Sequence, residues 1–170
     1  MDAYINLAKQ AIAHFLENGK IMSLPQDLPQ EFYQKRAGVF VSLHAKDGEL
    51  RGCIGTMTPT QPNLGTEIIA NAIAACSRDP RFFPLTKEEL ADLEIFVDIL
   101  SAPEQIPDLT NHDPKKYGLI AKADSRTGLL LPDLEGIDTA KQQLKIVLQK
   151  GGIREDEEYT MFRFSVERHH

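Results

Sequence analysis

Cys53 is the residue of this chain whose type and setting best suit it for covalent chemistry. It lies in Arg51-Gly52-Cys53-Ile54-Gly55-Thr56, one of two cysteines, with a glycine on either side and an arginine just upstream. Cysteine reacts as the thiolate, and a nearby cation lowers its pKa below the ~8.5 of a free thiol. On a regular strand residues 51 and 53 share a face, which sets the Arg51 guanidinium beside the Cys53 sulfur unless a glycine bulge breaks the alternation. His44 and His169 are the candidate bases of a nucleophilic pair. Arg51, Arg78 and Arg81 form a second candidate group, because the segments that carry them flank one helix. A planar guanidinium fork suits phosphate or carboxylate, so a small anionic ligand is expected there. A structural interpretation stands beside each of these. Gly52 and Gly55 then mark a bulge, Cys53 is a small buried hydrophobe, and Asp79 and Arg81 pair with each other or with the backbone.

These residues need elements to position them. An amphipathic helix is expected over the first seventeen or so residues, stopped at Gly19, with a short helical patch at 31–36. Gly38 to Ala45 alternates, with Val39, Val41 and Leu43 on one face and Phe40, Ser42 and His44 on the other. Asp47-Gly48 is a hairpin turn signal, and the return strand runs into the cysteine. His44 and Arg51 then lie close across the hairpin. A helix follows at about 63–77, with Cys76 on its apolar stripe. Ser77-Arg78-Asp79-Pro80-Arg81-Phe82-Phe83-Pro84 reads as a rigid loop anchored by buried aromatics. Thr86 to Glu89 has a capping-box pattern that opens a short helix. Leu93 to Leu100 is a strand, and 101–114 a proline-containing connection. Strands at 117–121 and 129–131 surround a turn at 124–128. A helix capped by Thr139 and Gln142 ends at Gly151-Gly152. One last strand carries Thr160, Phe162, Phe164 and Val166 on the same face. Helices interleaved with hairpins predict an α+β fold, a single domain over 1–170.

Composition narrows the function classes. The 170 residues are 42% hydrophobic with net charge −6 and pI near 5.4, so no overall basic field attracts nucleic acid. Gly52-Cys53-Ile54-Gly55 superficially matches the GXXG loop of RNA-binding KH modules, against the charge balance. No apolar run reaches the ~18 residues of a membrane helix, and no signal peptide is recognised. Two cysteines without CxxC spacing make neither a disulfide framework nor a zinc knuckle, and a cytoplasmic location is expected. His112-Asp113 lacks a third ligand at a telling spacing, so no metal is expected, and the residues leave the cofactor open.

Three motifs in order then carry a resemblance. Arg51-Gly52-Cys53-Ile54-Gly55-Thr56, then Asp79-Pro80-Arg81-Phe82 with Pro84, then Gly128-Leu129-Leu130-Leu131-Pro132 closely resemble the signatures of the AMMECR family. Asp133-Leu134-Glu135-Gly136, Lys150-Gly151-Gly152-Ile153 and Arg168-His169 resemble its bacterial branch, called AmmeMemoRadiSam system protein A. The resemblance implies an α+β fold in two unequal lobes, with mixed or antiparallel sheets, packed helices, and the RGCIGT segment near a cleft. It implies partners: a Memo-like protein, similar to LigB-type extradiol dioxygenases and sometimes fused to this domain, and a radical S-adenosylmethionine protein. It brings no reaction. Many archaeal and eukaryotic relatives carry a tryptophan and a further cysteine near a C-terminal Lys-Ala-Gly segment; here there is no Trp, and Leu148 and Gly151 stand in that region, so roles attached to those residues do not transfer. Two functions follow as expectations: an enzyme using Cys53, or a non-catalytic ligand-binding or adaptor domain for those partners.

Overall fold

The computed structural model describes residues 2–170. The class is α+β, with two antiparallel four-stranded sheets and packed helices. Two compact units of unequal size carry them, one up to Leu100 together with Glu167–His170, the other Ser101–Val166.

In the larger unit, α1 (Ala3–Asn18) opens on Asp2, whose carboxylate accepts from the N–H groups of Tyr4 and Ile5, and ends on Gly19 at φ 65°. The short α2 (Glu31–Gln34) buries Phe32. The hairpin forms as β1 (Val39–Ala45) and β2 (Leu50–Gly55), followed by α3 (Leu64–Ser77) and β3 (Leu93–Leu100). The strand order is β2-β1-β3-β8, where β8 is Val166–His169. Val39, Val41 and Leu43 point to one side of the sheet and are fully buried in the core that also holds Leu7, Ile12, Ile68 and Ile73 of α1 and α3. Burial of that apolar face, at ~25 cal/mol per Å², is what fixes the hairpin register, because a one-residue slip would turn the face to solvent.

The smaller unit pairs β5 (Gly118–Ala123) with β6 (Arg126–Leu130) and β7 (Thr160–Phe164), and adds β4 (Glu104–Ile106) beside β7. On it packs α4 (Ala140–Gly151), opened by the expected reciprocal Thr139–Gln142 capping box and closed by Gly152 in the left-handed region. Leu119, Ala121, Leu130, Val147 and Leu148 form its core.

Four expectations change. The connection at 101–114 contains β4, too short to leave a periodic signal. The turn between β5 and β6 contracts to Asp124 and Ser125, with Asp124 at φ 53°. The capping-box helix starts late, as a single 3₁₀ turn at Glu89–Asp92. The Glu89 carboxylate still accepts from the Thr86 N–H, but it also holds an arginine, which draws it out of the box. Finally, the last strand is two strands in two different sheets, β7 and β8, broken at Ser165.

Candidate functional site

The register of the hairpin decides the geometry around Cys53. Phe40, Val41, Ser42 and Leu43 pair with Gly55, Ile54, Cys53 and Gly52, but His44 pairs with Leu50, so Arg51 is the extra residue of a bulge. The expected alternation between 51 and 53 is therefore broken. Arg51 turns instead to Glu89, donating from Nε at 3.0 Å and Nη2 at 3.3 Å, and from Nη1 to the Phe83 carbonyl at 2.9 Å. Gly52 is where β2 meets α3: a Cβ there would lie 2.3 Å from the Ala75 carbonyl oxygen. At Gly55 the ring of Phe40 covers the backbone, 2.2 Å from where a Cβ would stand. Both glycines thus answer to close approach rather than to φ.

Cys53 sits opposite Ser42, whose hydroxyl donates to its sulfur at 3.1 Å. The Cys53 backbone points away from β1, and side chains meet it there. Its N–H donates to Asp79 Oδ2 at 2.9 Å, and its carbonyl accepts from Arg81 Nη2 at 3.3 Å. Arg81 grips the same Asp79 with both Nε and Nη2, at 3.0 and 2.7 Å. The pair therefore supplies β2 with the acceptor and the donor that a neighbouring strand would supply. Arg81 beside it holds the buried Asp79 carboxyl at a pKa of about 2 against its burial, helped by the Cys53 and Arg81 N–H groups.

The thiol shifts opposite to the expectation. Burial pushes the Cys53 pKa up; the Ser42 hydroxyl and Arg81 pull it down by less, and Asp98 and Asp79 add to the rise. Burial dominates because the bulge turns the Arg51 guanidinium to Glu89, leaving Arg81, itself paired with Asp79, as the cation that opposes it. Cys76 is a core residue as expected, its sulfur donating to the Ile73 carbonyl and its pKa pushed up to about 11 by burial.

The structure does not join either histidine to the thiol by a hydrogen bond. His44 Nδ1 lies 3.1 Å from the Gly48 carbonyl, and its ring meets Phe96 edge-on. His169 lies two strands beyond β1 in the sheet order, stacked on Tyr4 at 3.8 Å with Nδ1 2.8 Å from Asp2 Oδ2. It is tied down, not a loose tail. Nor do the arginines converge on open space: Arg51 and Arg81 each hold a protein carboxylate, and Arg78 is an exposed residue just past α3. Two backbone bonds brace the loop, Phe82 N–H to the Asp79 carbonyl and Leu85 N–H to the Cys76 carbonyl. Its buried anchor is Leu85, however; Phe82 is half-buried under the Arg81 guanidinium, and Phe83 is 90% exposed. Pro80 and Pro84 lie on the exposed side.

Two buried carboxylates escaped the sequence reading. Glu67, on α3, accepts from the Thr56 and Thr60 hydroxyls and the Thr60 and Gln61 N–H groups, at 2.7 to 2.8 Å. Burial pushes its pKa up, but these bonds outweigh that and the net shift is downward. Asp98, on β3, holds Arg168 through both oxygens, at 2.7 and 3.0 Å. Each is a lone acid on an apolar stripe, a signal that invites the search for a partner. His112 is buried, its Nε2 2.6 Å from the Gln143 side-chain oxygen. Among the described residues no three His, Cys, Asp or Glu side chains cluster as metal ligands, and no helix is long and apolar enough to cross a membrane.

The AMMECR1 family model matches residues 5–169, over both units. This chain belongs to the AMMECR1 family. A Thermotoga maritima protein is 49% identical over 98% of this chain and 96% of its own length. A Clostridium acetobutylicum protein is 44% identical over 99% of this chain, which spans only 36% of that longer relative. The crystal structure of an uncharacterized protein, PH0010 of Pyrococcus horikoshii, superposes with a TM-score of 0.90, at 32% identity, over 97% of this chain and 88% of that one. As an AMMECR1 protein, the chain carries its RGCIGT segment as the bulged edge strand of the larger unit.

Proposed function

We propose that this AMMECR1 protein is a non-catalytic adaptor, acting in the cytoplasm on a Memo-like protein and a radical S-adenosylmethionine protein. One observation carries the reading: the polar groups of RGCIGT are engaged by the fold itself. Arg51 holds Glu89, the Cys53 backbone is held by Asp79 and Arg81, Thr56 holds Glu67, and the thiol is kept protonated. What this rigid assembly offers to solvent is Phe83, exposed at the loop apex with its carbonyl pinned by Arg51. An aromatic side chain held on an ordered loop loses little further entropy on docking, which suits it as an anchor in a partner's pocket. The resemblance of the motifs to the AmmeMemoRadiSam set supplies the identity of the partners.

The second reading, an enzyme using Cys53, draws support from Ser42 and Arg81, which would stabilise a thiolate if a substrate displaced Asp79. Copurification with the Memo-like and radical proteins of the same organism separates the two. The adaptor reading expects Phe83→Ala to lose the partners and Cys53→Ala to keep them and the cellular function. Retained partners with Phe83→Ala, together with loss of cellular function with a folded Cys53→Ala, would replace it by the enzyme.

A further inference from the structure

Two rungs close the loop that carries Phe83. The Leu85 N–H bonds to the Cys76 carbonyl, and the Phe82 N–H to the Asp79 carbonyl. Between these rungs Ser77 stands across from Pro84, and Arg78 across from Phe83. Both members of the second pair are exposed, Phe83 to 90%. The cations around the loop differ in what they hold. Arg51 pairs with Glu89, Arg81 with Asp79 and Lys87 with Glu17. Among the described residues no carboxylate pairs with Arg78, and no acceptor takes a hydrogen bond from its guanidinium. The one guanidinium of this surface left to solvent is thus the one that faces the exposed ring.

We propose that Arg78 reads a carboxylate on the partner protein, so that the pocket receiving the Phe83 ring carries an aspartate or glutamate at its rim. The inference rests on the adaptor reading and adds the chemistry of the partner's side. The Phe83 ring gains from burial only in an apolar pocket. A guanidinium across the loop from that ring is carried to the mouth of the pocket by the same docking. Its N–H donors are unspent, and a carboxylate takes them as a fork. Brought into a contact without an acceptor, the same guanidinium would cost free energy, so the partner must supply one. The other cations already hold carboxylates, and the loop therefore offers one free charge rather than a basic tract. With a net charge of −6 on the chain, that suits a single carboxylate on a protein and not the phosphate chain of a nucleic acid.

The test measures by calorimetry the affinity of the full chain for the purified Memo-like and radical proteins of the same organism, with Phe83→Ala, Arg78→Glu and Arg78→Lys as variants. Thermal melts first show that each variant is folded. Arg78→Glu should be, because the guanidinium it removes bonds nothing in the chain. Phe83→Ala is expected to lose a partner, and Arg78→Glu to weaken that same partner at least about tenfold by setting two carboxylates together. Arg78→Lys keeps the charge and loses the fork, so its affinity should fall between those of the natural chain and Arg78→Glu. Should Arg78→Glu fail to fold, Arg78→Ala reads the same loss at about threefold. Unchanged binding by folded Arg78→Glu, where Phe83→Ala loses the partner, would overturn the carboxylate and leave the adaptor reading standing. Binding that neither variant alters, or no binding by the natural chain, would overturn both. Tight binding of a single-stranded RNA oligonucleotide, lost with Arg78→Glu, would give Arg78 to a phosphate and likewise overturn the proposal.

Discussion

The two edges of the larger sheet are finished in different ways. At β2 the free backbone of Cys53 meets Asp79 and Arg81, one acceptor and one donor, as if a strand were there. At β3 the cover is a strand of the chain itself, β8. An unpaired edge invites association, and proteins commonly blunt it with charged side chains. The β2 edge is blunted by a carboxylate–guanidinium pair built into the backbone ladder. The contrast recasts the RGCIGT signature: its arginine, glycines and backbone groups are first of all the means by which an edge strand is seated on α3 and sealed.

The seat is the part whose loss should cost most. Gly52→Ala drives a Cβ against the Ala75 carbonyl, a backbone atom that no rotamer change can move. We expect a loss of about 3 kcal/mol or more, the upper end for overpacking. That lowers the Tm by about 10 °C in a chain of this size. The smaller unit uses the same footing, with Gly128 set against the Val147 carbonyl, where a Cβ would lie 1.9 Å away. Gly128→Ala should therefore be as damaging. An unchanged Tm for Gly52→Ala in thermal denaturation would mean that β2 is not seated on α3 at this point.

Removing the seal should cost less. Asp79→Asn leaves Arg81 without its carboxylate and weakens the bond to the Cys53 N–H. The carboxyl titrates at about 2 when folded against 3.8 as its ordinary value, and it is buried, which corresponds to about 2 kcal/mol. Because the folded-state pKa is the lower one, this stability is fully present above pH ~4 and is lost as the pH falls toward 2. Urea melts from pH 5 to 2 should show a steeper decline for the natural chain than for Asp79→Asn. Hydrogen exchange at the Cys53 amide should quicken in the variant, as at an edge strand left uncovered. Parallel pH profiles would show that Asp79 carries no such linkage.

Much of this was legible because it is local. The Asp47-Gly48 turn, the alternation of β1, the stop at Gly19 and the Thr139–Gln142 box each depend on neighbours in sequence, and each formed as read. The position of the bulge was not legible, since it follows from Gly52 meeting a carbonyl of α3. With the bulge unplaced, Arg51 was read as the partner of the thiol when its partner is Glu89, far along the chain. The break at Ser165 was hidden for another reason. Apolar alternation continues in phase from Thr160 to Val166, and phase says nothing about which sheet a strand joins. Glu67 and Asp98 could have been found: each is a lone acid in an apolar run, and burial of an acid demands partners.

The smallest effect is expected at Cys53 itself, the residue from which the chemistry was first read. Its sulfur occupies a polar niche against the Ser42 hydroxyl, and serine can accept the same bond with a smaller volume. Cys53→Ser should therefore change stability by less than about 1 kcal/mol. Thiol reactivity is the sharper observable. Since burial raises the Cys53 pKa, the folded protein favours the protonated form, and iodoacetamide should react slowly at pH 7, with an apparent pKa above that of a free cysteine. Cys76, buried and pushed up to about 11, should react more slowly still. The same shifts act on stability with a fixed sign. A raised folded-state pKa contributes stability that is present below the ordinary thiol range and lost as the pH climbs toward 11. Cys53→Ser should remove part of that alkaline decline and leave the Cys76 part. A pH series of alkylation, read peptide by peptide with the protein folded, checks the order of the two thiols. Rapid alkylation of Cys53 at pH 7 would mean that Arg81 is free of Asp79 in solution, and the closed edge would then be the open one.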